Sequence, residues 1–152
     1  MRTLASRALF FRRDTRASVQ VETTFALLLA VPLIFVVFEV CAFTYTQALL
    51  GDAARAGVRY AVVHGSDSTA CSGPGSGCSD SSGSNVTSMV QTYAGSLMSQ
   101  LSTVTVAPSW PDSSSAPPSR VIVTVSYTYS PLFANVAGSI AMQSTAEGRI
   151  VY

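Results

Sequence analysis

Lysine is absent from this chain of 152 residues, histidine and tryptophan occur once each, and only 11% of the residues are charged. All nine basic residues are arginine, and none outside the first 17 residues forms a cluster. The electrostatic footprint that nucleic-acid binding requires is therefore missing. The lone His64 has no serine tied to it by spacing, so a nucleophile and base pair finds no support. Glu147 and Asp112 read as solvated surface charges rather than acid–base groups. Cys71 and Cys78 offer only two thiolates, and the lone His64 cannot supply both of the further ligands that a tetrahedral zinc site demands. The glycines between residues 73 and 83 lie in a serine-rich loop, not in a phosphate-binding turn between a strand and a helix. No enzyme chemistry, cofactor or metal is expected.

What the chain does contain is one long apolar stretch, residues 23–50, with Glu39 as its only carboxylate and Glu22 immediately before it. As a helix it would rise about 40 Å, more than the roughly 30 Å hydrocarbon core of a bilayer, so a membrane-spanning helix is expected. Charge is unevenly placed around it. Arg2, Arg7, Arg12, Arg13 and Arg16 against Asp14 give the first 17 residues a net charge of +4, leaving −3 for the rest. A basic head before an apolar helix predicts a cytoplasmic N-terminus and an exported C-terminal region. Cys71 and Cys78 agree, because both lie in a polar loop where an oxidising compartment would let them pair. Cys41, inside the apolar stretch, reads as a small apolar residue.

The head is either a cytoplasmic flank or a leader that is removed. An ordinary secretory signal would be cut after Val40-Cys41-Ala42, and a lipoprotein would use Cys41. Against both, the apolar pattern runs on through Phe43, Tyr45, Ala48 and Leu49, and Glu39 and Val40 stand where a lipoprotein site needs small residues.

Beyond Leu50 the pattern becomes amphipathic. Leu50, Ala53, Ala54, Gly57, Val58 and Ala61 recur at steps of three and four, with Asp52, Arg55 and Arg59 largely between them. One helix is expected over 18–63, apolar all round at first and then on one face only. Residues 65–83 are too rich in Ser and Gly to build a core and form a loop that Cys71 and Cys78 staple. Ser84 or Asn85 is expected to cap a helix reaching to about residue 101, with Val86, Met89, Val90, Tyr93, Leu97 and Leu101 on its apolar positions. Strands are expected at 103–107, 120–130 and 140–151. In the second, Val121, Val123, Val125, Tyr127 and Tyr129 share one face, and in the third Gln143, Thr145, Glu147 and Arg149 share a wet face. These describe an exported α+β domain, residues 64–152, with a three-stranded antiparallel sheet covered by the two helices.

The segment RASVQVETTFALLLAVPLIFVVFEV, followed by QALLGDAARAGVRYAVV, resembles the N-terminal region of TadE-like proteins, the pseudopilins or minor pilins of tight-adherence (Flp-type) pilus and secretion systems. The family's Ala-Arg-x-Gly-x-Arg-Tyr-Ala pattern appears here as Ala54 to Ala61, and the likeness extends to the Val-rich strand, the Pro131-Leu132 pair and the terminal strand. The resemblance implies a pilin-like fold in a bacterial inner membrane, a prepilin-peptidase cut between Ala17 and Ser18, and Glu22 as the fifth residue of the mature chain. It implies partners among other minor pilins and the pilus assembly platform, with Glu22 and Glu39 as assembly residues. Two positions depart from the pattern: Ala17 stands where glycine is usual, and Thr23 where an aromatic residue is usual. The alternative, from another class, is a single-span envelope protein whose exported domain binds a partner outside any filament.

Overall fold

The computed structural model describes residues 4–75, 77–131 and 138–151, including all of their side chains except those of residues 4–17, 100 and 102. The elements in order are helix α1 (Leu4–Val63), helix α2 (Ser84–Leu97), a 3₁₀ turn (Ser99–Thr103) and strands β1 (Thr105–Ser109), β2 (Arg120–Tyr129) and β3 (Ile140–Arg149). The chain divides into two compact units, residues 1–41 and 42–152. Leu132 of the Pro131-Leu132 pair, and most of the segment joining β2 to β3, lie outside the described residues.

Helix α1 ends at Val63, where the periodicity stops, but it begins at Leu4 instead of near residue 18. Nothing in the head opposes helix: residues 1–31 contain neither Gly nor Pro and are rich in Ala, Leu and Arg, which are good helix formers.

In residues 42–152 the apolar face of α1 is buried as its spacing requires, with Leu50, Ala53, Ala54 and Ala61 all at 0% exposure. It packs on an antiparallel sheet of order β1-β2-β3, so β2 is central. Val121, Val123 and Val125 form the centre of the core, while Gln143, Thr145, Glu147 and Arg149 are exposed on the wet face of β3. Phe43 meets Tyr129 edge to face, with ring centroids 5.8 Å apart. Helices α1 and α2 approach closely at Gly57, where a Cβ would lie 2.5 Å from Val90 Cγ2 and 3.1 Å from Val123 Cγ1. A side chain there would hold α1 away from both α2 and β2.

Three expectations need correction. First, α2 stops at Leu97 because Met98 is extended, and the 3₁₀ turn that follows brings Leu101 into the core at 0% exposure. The buried residues of α2 are Val86, Val90 and Ala94, whereas Tyr93 and Leu97 are 36% and 40% exposed. Close approach at Gly57 leaves room for small residues on the contact line and turns the longer ones outward. Second, β1 starts two residues later than expected and includes Pro108. Proline lacks the N–H that a central strand needs, and β1 lies at the sheet edge, where this is tolerated. Third, neither Ser84 nor Asn85 is the N-cap: that position is Gly83, at φ 76°, and the capping oxygens come from Asp80.

Candidate functional site

Along α1 the apolar side chains of residues 19–40 face outward: Phe25, Leu29, Leu33 and Phe38 are each more than 60% exposed. The part of the helix from Ser18 is long and apolar enough to cross a membrane, a property that anchors and signal sequences share. Polar groups within it turn inward onto its own backbone. The Thr23 hydroxyl donates to the carbonyls of Val19 and Gln20, both at 3.0 Å, and the Thr24 hydroxyl donates to Gln20 C=O at 2.8 Å. Such bonds leave no hydroxyl donor unsatisfied in an apolar medium. Pro32 lies inside the helix and removes one backbone donor, which membrane helices tolerate more often than soluble ones.

Ala17, Ser18, Glu22 and Glu39 all lie in α1. The side chain of Ala17 is outside the described residues, Ser18 is exposed, and Glu22 is exposed with no hydrogen-bond or ion-pair partner among the described residues. Glu39 is partly buried. The structure does not bring the two carboxylates together: they are 17 positions apart on one helix.

In residues 42–152 the serine-rich loop is closed by the Cys71–Cys78 disulfide, with Cα atoms 5.2 Å apart, as the sequence predicts. It is not slack. Ser72 N–H donates to His64 C=O at 2.7 Å, Gly73 N–H to Asp80 C=O at 2.8 Å, and Ser115 N–H to Pro74 C=O at 2.8 Å. The Trp110 indole lies against Gly73 and Gly83 and joins this loop to the β1–β2 connection. His64 stacks on Tyr60 at 4.0 Å, and its Nδ1 donates to Tyr60 C=O at 2.8 Å.

Asp80 is the organising charge of the loop. Its carboxylate accepts from the hydroxyls of Ser72, Ser82 and Ser84 and from the amides of Ser84 and Asn85, at distances of 2.6 to 3.1 Å. Burial opposes its charge, but the Ser72 hydroxyl, the Asn85 amide and both Ser84 donors outweigh that cost and hold the carboxyl well below the usual range. Sequence reasoning missed this residue. The available signal was an Asp four positions before the helix start, in a run otherwise made of Ser and Gly.

On the surface, the Arg120 guanidinium donates twice to Asp112, at 3.0 and 3.3 Å, its amide N–H donates to the same carboxylate at 2.8 Å, and the guanidinium reaches Glu147 at 4.0 Å. Hydrogen bonds from the Arg120 side chain and amide lower the Asp112 carboxyl, and Asp112 in turn raises the Arg120 guanidinium. These groups clamp the β1–β2 connection onto the start of β2. Among the described residues, no group of three or more His, Cys, Asp or Glu is placed to hold a metal ion.

The exposed apolar helix suits membrane anchoring or a signal sequence. Compared with known proteins, the chain matches no protein-family model, no curated protein and no solved structure.

Proposed function

We propose that this chain is a membrane-anchored pseudopilin or minor pilin of TadE-like type that takes part in assembling or priming a Tad (Flp-type) pilus. In this reading α1 holds the subunit in a bacterial inner membrane with its N-terminus in the cytoplasm. A prepilin peptidase cuts between Ala17 and Ser18, and the exported, pilin-like domain contacts other minor pilins and the assembly platform. The work is assembly, not turnover.

The observation that carries this reading is Glu22, an exposed carboxylate at the entrance to a helix whose apolar side chains all face outward. A carboxylate in that position is costly in lipid unless it is paired. A cut after Ala17 creates an α-amino group four residues before Glu22, and that charge on the same or a neighbouring subunit neutralises the carboxylate. Packed helices then share a defined axial register. Glu39 offers a second polar contact to a partner helix.

Mass measurement of the mature N-terminus in the native host tests the proposal. A start at Ser18 is expected. A start at Phe43 would make the chain a secreted domain, and an intact Met1 would favour the alternative of a simple anchored envelope protein. With the cut established, Glu22→Ala is expected to abolish assembly; normal assembly of that variant would remove the charge-pairing argument.

A further inference from the structure

Where α1 and α2 touch at Gly57 and Val90, the longer side chains on one flank of the contact are pushed apart and leave an open groove of about 490 Å³. Its walls include Arg55, Arg59, Tyr60 and Val63 from α1 and Met89 and Tyr93 from α2. Two aromatic rings and a methionine thus flank a pair of guanidinium groups. Arg55 is held by Asp52 at 3.0 Å, but Arg59 is exposed and has no hydrogen-bond or ion-pair partner among the described residues.

Most other charges of residues 42–152 are matched within the chain. Arg120 lies between Asp112 and Glu147, and Asp80 is enclosed by hydroxyl and amide donors; Arg149, like Arg59, is exposed, but it stands on β3 opposite Arg120 and away from the groove. One acidic side chain is left over. Asp67 is exposed, faces no cation among the described residues, and accepts only the hydroxyl of Ser66, at 3.2 Å. It is carried on a turn closed by Ser68 N–H to Gly65 C=O at 3.1 Å, and its neighbours Gly65, Ser66 and Ser68 are small. The turn is slim enough to enter a groove between helices, and its charge complements Arg59.

We infer that the groove at Arg59 receives the Asp67 turn of a second copy of this chain. Groove and turn are different surfaces, so the contact is head to tail and can propagate from copy to copy. Arg59 precedes the helix end by about 6 Å at 1.5 Å per residue. The contact lies in residues 42–152 and needs neither the cut after Ala17 nor Glu22, so it goes beyond the function proposed above and fails or succeeds separately from it.

The test uses the full chain in two differently tagged copies expressed in one membrane, extracted in mild detergent and recovered through one tag. Arg59→Glu in both copies, or Asp67→Arg in both, is expected to lower recovery of the second copy about tenfold, because like charges then meet. Arg59→Glu in one copy with Asp67→Arg in the other restores opposite charges at every contact and is expected to restore recovery, a result that misfolding could not produce. Recovery of either uniform variant at the wild-type level overturns the inference. So does a mixed pair no better than the uniform variants, which would leave the groove to an acidic segment of another protein, and so does a wild-type chain that fails to recover its second copy.

Discussion

The Asp80 carboxylate accepts the amide N–H of Asn85 at 2.8 Å and, on the same oxygen, the hydroxyl of Ser72 at 2.6 Å. One side chain therefore caps α2 and ties the disulfide-closed loop to it. N-terminal helix amides have no partner within the helix, and a buried donor left unpaired is costly.

Asp80→Ala removes the cap and strands several donors, so a loss of about 2–4 kcal/mol in unfolding free energy is expected. Asp80→Asn keeps one acceptor oxygen and is expected to lose less. Urea unfolding of the full chain in detergent, followed through Trp110, the only tryptophan, measures both.

The same carboxylate predicts a pH dependence. Its folded-state pKa is depressed, so its contribution to stability is complete above the unfolded carboxyl value of about 3.9. That contribution is lost progressively as pH falls from there through the folded value. Asp112, also depressed, adds in the same direction. The urea midpoint is expected to drop below about pH 4 in the wild type, and to drop less in Asp80→Asn. Equal slopes for the two proteins would show that Asp80 is not the group responsible.

At Gly57 α1 lies close against Val90 of α2. Ala at this position improves helix propensity by about 1 kcal/mol, but its Cβ would lie 2.5 Å from a Val90 methyl. Gly57→Val is expected to destabilise by about 1–3 kcal/mol through overpacking, and Gly57→Ala by less. Adding Val90→Ala to Gly57→Ala relieves the clash, so the double mutant is expected to be more stable than the sum of the single changes predicts. Additive effects in that cycle would contradict the packing described.

Cys71 and Cys78 close a short loop, and replacing both with Ser is expected to cost about 2–3 kcal/mol in the chain-entropy account. Thiol titration of the unfolded, unreduced chain should find one reactive group, Cys41. Three titratable thiols would disprove the bridge.

Much of this architecture was legible in the residues. The apolar run, the switch to one-sided periodicity after Leu50 and the alternation at Val121, Val123 and Val125 each reflect a local rule: a side chain's direction follows from helical or strand repeat, and burial follows from hydrophobicity. For the same reason the pairing of Cys71 with Cys78 and the antiparallel order of the strands could be anticipated from short separations along the chain.

Other features depended on residues distant in sequence or on space between elements. Asp80 caps α2 only because the loop folds back over the helix start. Tyr93, Met89 and Leu97 have core spacing, yet the space beneath α1 at Gly57 admits only small residues of α2 along the contact line, so Val90 and Ala94 enter the core, Met89 and Tyr93 line a groove and Leu97 is exposed. By itself the sequence determined which segments are helix, strand and loop and which faces are apolar, because those properties repeat along the chain. Only the tertiary structure decided which apolar residues are buried and which charges are paired, because both depend on how closely the packed elements approach one another.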